Sequence, residues 1–243
     1  MQKLAIFGGT FNPVHWGHLL IAETALSQMQ LDRILWLPAA HPAHKLHPNL
    51  LLNYQQRFHM VELGIATHPQ FQVIDIQSRI SSSFAIETLE ILQTLYSQAH
   101  WYWIIGLDAF QTLPRWYGRR ELADHCCWLV APRLPPLVRS VEQQPQLTIS
   151  GAASSYAAST DAFVHAPNSP LTETVETAEV LCAEVIQQLA AQSISIRWAI
   201  LHMPLMGISS SLIRSYCRQQ RSIRYLVPDA VCDYIARHQL YRV

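Results

Sequence analysis

"KLAIFGGTFNPVHWGHLLIAETALSQM" occupies residues 3–29, and its order of parts decides the fold. KLAIF (3–7) reads as a buried strand, Gly8-Gly9 break it, and GHLLIAETALSQM (17–29) reads as an amphipathic helix. A strand, a glycine turn and a helix in succession open an α/β unit. The missing Cβ atoms of Gly8 and Gly9 allow unusual dihedrals and close approach of a ligand to the backbone. Pro13 holds Asn12 extended. The helix beginning near Gly17 offers N–H groups without helical acceptors, which suit an anion. His15 and His18, three apart across that start, can face one side. On these residues alone an anion-binding turn, a purely structural turn and a metal clip all fit. The clip lacks a third ligand at sensible spacing, and the GxGxxG fingerprint is missing because Thr10-Phe11-Asn12 follow Gly9.

The same alternation continues outward. RILWL (33–37), FQVIDI (71–76), WYWIIG (101–106) and CCWLVA (126–131) read as strands, with a further one near 196–203. Between them, residues 54–66 have helical spacing at Phe58, Val61, Leu63 and Ile65. Residues 84–96 place Phe84, Leu89, Leu92 and Leu95 toward a core. This pattern predicts an α/β three-layer fold with a parallel sheet, and ligands in such folds lie at the carboxyl ends of the strands.

The pattern breaks after Arg139. From Ser140 to Ser193 there are six acidic residues and no Lys or Arg. Residues 150–163 are small and polar, as in a flexible loop, while 172–192 form an amphipathic helix with Val175, Ala178, Cys182, Val185 and Leu189 on one side. That apolar side is expected to pack on its own domain, near the mouth of the site. The tail beyond Ser209 carries six arginines and reads as two helices, 209–219 and 228–239, with Pro228 opening the second.

Of 243 residues half are hydrophobic, and 17 basic residues balance 17 acidic ones. One globular domain is expected over 1–243, containing the acidic insertion 140–195 and a C-terminal helical subregion 209–243. The neutral balance disfavours nucleic-acid or membrane-surface binding. No apolar run reaches membrane-spanning length. The five cysteines are odd in number and lack CxxC spacing, as expected of a cytoplasmic protein.

A second anion-friendly stretch is GISSSLIR (207–214). Ser209 or Ser210 can cap the helix that follows, and Arg214, one turn on, can grip phosphate oxygens with its planar fork. Taken together, GGTFNPVHWGH (8–18) and ISSSLIR (208–214) resemble the (T/H)xGH and ISSTxxR signatures of the nucleotidyltransferase superfamily with a Rossmann-like fold. Within it the chain is most similar to bacterial nicotinate-nucleotide adenylyltransferases. The other marks stand in order: HPAHK (41–45), SSFAIETL (82–89), WIIGLDAFQTLPRWYG (103–118), LVAPR (129–133) and IRYLVPDAVCDYIARHQLY (223–241). No match is placed in 140–195, where that family usually has a shorter connection.

The resemblance implies adenylyl transfer from ATP to nicotinate mononucleotide, giving deamido-NAD and pyrophosphate. It implies catalytic roles for His18, His15, Lys45 and Arg214, and a backbone cradle for ATP at Gly8, Gly9, Thr10 and Phe11. Gly106, Asp108, Ile208, Ser209 and Ser210 complete the implied ATP site. Trp116 would stack on the pyridine ring, the N–H groups of Ala85 and Tyr117 would hold its carboxylate, and Arg133 completes the mononucleotide side. Mg²⁺ would travel on the triphosphate, with no protein metal ligand. The chain carries Asn12 where many relatives have Asp, HPAHK where Pro-Pro-His-Lys is common, and Ala85 and Glu87 where Thr and Asp are usual. A preference for the amide mononucleotide, or a nucleotide sensor without turnover, are the alternatives; a homo-oligomer is left open.

Overall fold

The computed structural model describes residues 1–40, 51–80, 82, 84–132, 170–204 and 206–242, with backbone alone for 170–176. The strands are β1 (Gln2–Gly9), β2 (Arg33–Pro38), β3 (Phe71–Val73), β4 (Ala99–Gly106), β5 (Cys126–Ala131) and β6 (Arg197–Ile200). They form one sheet in the order β3-β2-β1-β4-β5-β6, every neighbouring pair parallel. The order reverses between β1 and β4. Such a switch point opens a crevice at the carboxyl edge.

Period-two alternation sends successive strand residues to opposite faces. Leu4, Ile6, Leu35, Trp101, Trp103 and Trp128 join one core layer, and Ala5, Phe7, Ile34, Trp36 and Leu129 the other. The first layer is covered by α3 (Ala85–Leu95), α4 (Leu107–Phe110), α5 (Arg119–His125) and α6 (Pro170–Ala190). The second is covered by α1 (Trp16–Met29), α2 (Tyr54–Ile65), α7 (Ser210–Arg218) and α8 (Asp229–Arg237). The expected α/β three-layer arrangement is therefore present. Helix α6 is the crossover between β5 and β6, and Ala178, Cys182, Val185 and Leu189 bury its apolar side in the first layer. Among the described residues no helix is long and apolar enough to cross a membrane.

Several details differ from the sequence expectation. Strand β3 stops at Val73, because Asp75 draws the chain off the sheet: its Oδ1 accepts from Tyr54 Oη (2.9 Å) and Gln77 N (3.0 Å). The last strand is limited to Arg197–Ile200. On α2 the buried line is Tyr54, Arg57, Met60, Val61 and Ile65, with an arginine inside it and Phe58 and Leu63 only half-buried. On α3 only Leu89 and Leu92 are buried; Phe84 and Leu95 are exposed. Helices α4 and α5, with a 3₁₀ turn at Leu113–Arg115 between them, fill a stretch in which the sequence showed only a motif. The small-residue stretch 150–163 lies outside the described residues.

Candidate active site

In a parallel sheet each crossover helix starts at the carboxyl edge. The N-termini of α1, α2, α3 and α7 therefore gather there, and their partial positive charge favours anions. Gly8 and Gly106 lie at the carboxyl ends of the adjacent strands β1 and β4, and a Cβ built on either would meet nothing within 4 Å among the described residues. Open space thus lies above the switch point. Asp108, in the first turn of α4, is exposed beside it.

The loop after β1 is tightly determined. Phe11 is buried with φ 47, a left-handed conformation that bulky residues rarely adopt. Its ring crosses Gly9 so closely that a Cβ there would lie 2.8 Å from Phe11 Cζ. The Phe11 ring stands edge-on to His18, centroids 5.0 Å apart. Asn12 is 1% exposed, and its peptide bond to Pro13 is cis. Its Oδ1 accepts from Tyr241 Oη (2.8 Å) and Leu52 N (3.4 Å). An Asp at this position could accept both bonds as well, which accounts for the interchange.

His15 caps α1, and its ring stacks on that of His18 with centroids 3.7 Å apart. The backbone N–H of His15 donates to His18 Nδ1 (3.3 Å), so the neutral His18 ring carries its proton on Nε2. Both imidazoles cannot be charged without mutual repulsion unless an anion lies against them. Gly17 makes room for this pair: a Cβ there would stand 3.0 Å from His15 Nδ1 and 3.8 Å from the carbonyl oxygen of Ile208.

That contact brings in the second stretch. Ser209 caps α7, its Oγ accepting from Leu212 N (3.2 Å) while its own O–H stays able to donate. Ser210 Oγ donates to the Pro13 carbonyl (2.8 Å). Arg214, 6% exposed, donates to the Asn12 carbonyl (2.8 Å) and to Ser211 Oγ (3.1 Å). Its Nε has no acceptor among the described residues. A buried charged donor in that state favours an anionic acceptor. Burial draws the pKa of this guanidinium down, but an arginine stays charged at neutral pH. Two segments two hundred residues apart thus form one wall.

The residues expected on the mononucleotide side form a second group. Ala85 is the first residue of α3, where a backbone N–H has no helical acceptor. Phe84, its N-cap, is 49% exposed and lies against Tyr117, 66% exposed, with ring centroids 4.7 Å apart. Trp116 is half-buried: its indole N–H donates to Thr112 Oγ1 (2.8 Å) and its ring meets Trp128 edge-on. Gly118, at φ 67, lets the two segments touch, since a Cβ there would lie 2.7 Å from Ile86 Cβ. Glu87 Oε2 accepts from both N and Oγ of Ser82, so its charge is held within its own turn.

The end of α6 supports this group. Gln192 accepts from Arg119 Nε (2.7 Å) and donates to the Pro114 carbonyl (3.3 Å), and Arg120 donates to the carbonyls of Gln192 and Ser193. The chain leaving α6 therefore ties down both flanks of the Trp116–Tyr117 segment, at Pro114 and at Arg119–Arg120. Lys45 and Arg133 lie outside the described residues. Gln192 and Arg57, whose bonds are given below, were not singled out in the sequence. No local signal marks the first, and the second sits in a helix whose charged residues would ordinarily be assigned to solvent.

The chain is similar to known proteins over nearly its whole length. A family model described as cytidylyltransferase-like matches residues 6–216. A Trichormus variabilis protein carrying the name "Probable nicotinate-nucleotide adenylyltransferase" is 43% identical over 242 residues, 99% of this chain and 98% of its own. A protein of the same name from Lachnoclostridium phytofermentans is 31% identical over 99% of this chain and 100% of its own. In fold, the chain is similar to Plasmodium falciparum nicotinic acid mononucleotide adenylyltransferase complexed with NaAD. That likeness has a TM-score of 0.63 at 14% identity, over 99% of this chain and 98% of the other.

Proposed function

Because the chain belongs to the cytidylyltransferase-like family, among nicotinate-nucleotide adenylyltransferases, we propose that it transfers the adenylyl group of ATP to nicotinate mononucleotide. The mononucleotide phosphate attacks the α-phosphorus of ATP, the α–β bridging bond breaks, and pyrophosphate leaves with that electron pair. The products are deamido-NAD and pyrophosphate. The nucleophile is already an anion, so the work is alignment of two polyanions and stabilisation of developing charge.

The observation that carries this reading is the joining of the two phosphate-type segments. Arg214 bonds to Asn12 and Ser210 to Pro13, with the stacked His15–His18 pair beside them. In the proposed site His18 donates from Nε2 to the α-phosphate, and His15 serves neighbouring oxygens. Gly8, Gly9, Thr10 and Phe11 supply backbone, Ile208 and Ser209 line the leaving-group side, and the guanidinium of Arg214 lends that side its positive charge. Lys45 adds charge from the 41–50 segment. Gly106 leaves room for the nucleotide, and Asp108 accepts from a ribose hydroxyl.

For the second substrate, the start of α3 favours a carboxylate over a neutral amide, because the Ala85 N–H sits at the positive end of the helix. Trp116 offers the ring surface, with Tyr117 N–H as second donor and Arg133 among the residues that bind the mononucleotide. Mg²⁺ would be held by phosphate oxygens and water. Among the described residues no three His, Cys, Asp or Glu side chains group to hold an ion. When bound, it neutralises charge on the triphosphate. The test is turnover with ATP–Mg²⁺ and each mononucleotide, reading dinucleotide and pyrophosphate. A tenfold preference for the amide, a difference of about 1.4 kcal/mol, overturns the substrate assignment.

A further inference from the structure

Arg57 lies on the inner side of α2, one turn after a well-formed start in which Asn53 and Gln56 cap each other's backbone N–H. It is 1% exposed. Among the described residues no carboxylate lies within ion-pair distance of it, and all three of its guanidinium nitrogens donate to backbone carbonyls. Nε bonds to Leu52 (3.1 Å), one terminal nitrogen to Thr10 (2.9 Å) and the other to Ala39 (2.7 Å). These carbonyls belong to three separate places: the loop after β1, the chain leaving β2 and the chain entering α2. The first two are also linked directly, Ala39 N donating to the Gly9 carbonyl at 2.9 Å.

We propose that Arg57 is a positioning residue that sets the donor geometry of the 8–12 loop toward the nucleotide phosphates. This rests on the adenylyl-transfer reading, since the loop is the proposed ATP cradle. The reason is the planarity of the peptide unit. In a trans peptide the C=O and the following N–H point in opposite directions. Holding the Thr10 carbonyl on Arg57 therefore turns the Phe11 N–H away from Arg57. Phe11 sits at φ 47, and a bulky residue stays in that region only when its surroundings over-determine it. The bond to Thr10 on one side and the space above Gly9 on the other supply that determination.

The residue type follows from the task. A planar fork reaches three acceptors in fixed directions, whereas an ammonium is a single point of donation on a flexible stem. The charge also has a consequence. A cation buried without a carboxylate raises the potential near the loop and is least compensated when no anion is bound. Arg214, buried and bonded to Asn12, adds to the same field from the opposite end of the chain.

The experiment uses the full chain with Arg57→Lys and Arg57→Met, and Leu92→Ala as a destabilised control from the other core layer. ATP–Mg²⁺ affinity is measured by calorimetric titration, thermal stability in parallel, and KM for both substrates by turnover. Arg57→Lys is expected to keep its fold and to bind ATP at least about tenfold more weakly, while KM for the mononucleotide changes less than about threefold. Leu92→Ala is expected to melt earlier with ATP affinity within about twofold of wild type. Arg57→Lys serves as the deciding variant if Arg57→Met does not fold. Wild-type binding of ATP with Arg57→Lys unchanged overturns the inference alone, as does equal loss in the control. No ATP binding by the wild type overturns the proposed function and this inference with it.

Discussion

The hydroxyl of Tyr241 donates to Oδ1 of Asn12 at 2.8 Å, a bond between residues 229 positions apart. Both residues are buried, and the carbonyl of the same Asn12 takes Arg214. The end of the chain thus holds the loop that follows the first strand.

Tyr241→Phe removes that donor and leaves a buried acceptor with one bond fewer. The expected cost is about 1–2 kcal/mol of stability, read from urea denaturation. Turnover should fall by a few-fold, because Asn12 also orients Arg214. Unchanged stability would show that the bond does not hold the loop.

The same residue predicts a pH dependence. Burial pushes the phenol of Tyr241, and that of Tyr54, well above the ordinary tyrosine range. Each therefore binds its proton more tightly folded than unfolded. The associated stability is fully present below the unfolded value of about 10 and is lost as pH rises through it toward the folded value. Melting temperature should drop as pH rises beyond about 10, and less steeply in Tyr241→Phe. Parallel slopes in the two proteins would contradict the assignment.

His18→Ala removes the Nε2 donor proposed for the α-phosphate. The expected loss in kcat is about a hundredfold or more, comparable to removing one preorganised donor from an oxyanion site. KM for ATP should move much less. Equal rates of pyrophosphate release in both proteins would instead point to a nucleotide sensor.

Gly9→Ala places a Cβ 2.8 Å from Phe11 Cζ, where the ring has no space to retreat within a packed layer. Overpacking of this kind costs about 1–3 kcal/mol. Displacing the ring also disturbs its edge contact with His18, so activity should fall even at temperatures where the variant is fully folded. Retained kcat in folded protein would show that the Phe11 ring does not position His18.

Gln192→Ala releases Arg119 and the Pro114 carbonyl from the end of α6. KM for the mononucleotide should rise about threefold to tenfold, near 1 kcal/mol, with KM for ATP unchanged. A rise in both constants alike would indicate general loosening of the fold.

The parallel arrangement was legible because strand and helix periods are written within a few residues of one another. KLAIF, RILWL and CCWLVA show their burial directly, and the helix starts after them show where N–H groups collect. Arg57 was not legible. A charged residue at its place is usually solvated, and its burial depends on three carbonyls from segments it does not adjoin. Phe84 read as a core residue and is exposed, because its ring meets Tyr117 rather than the sheet. Trp116 read as ligand surface; that its N–H bonds to Thr112 and its ring packs nearly at a right angle to Trp128 was not legible, because both depend on how the chain folds there.

The amino-acid sequence by itself determined the layer order of this protein and the two turns suited to phosphate, since both follow from local pattern and local backbone chemistry. Only the tertiary structure decided that those turns form one wall. Ser210 reaching Pro13, Arg214 and Tyr241 reaching Asn12, and Ile208 passing Gly17 are long-range contacts. Their geometry is set by how α1, α2, α7 and α8 pack on a common face of the sheet, and no stretch of neighbouring residues carries that information.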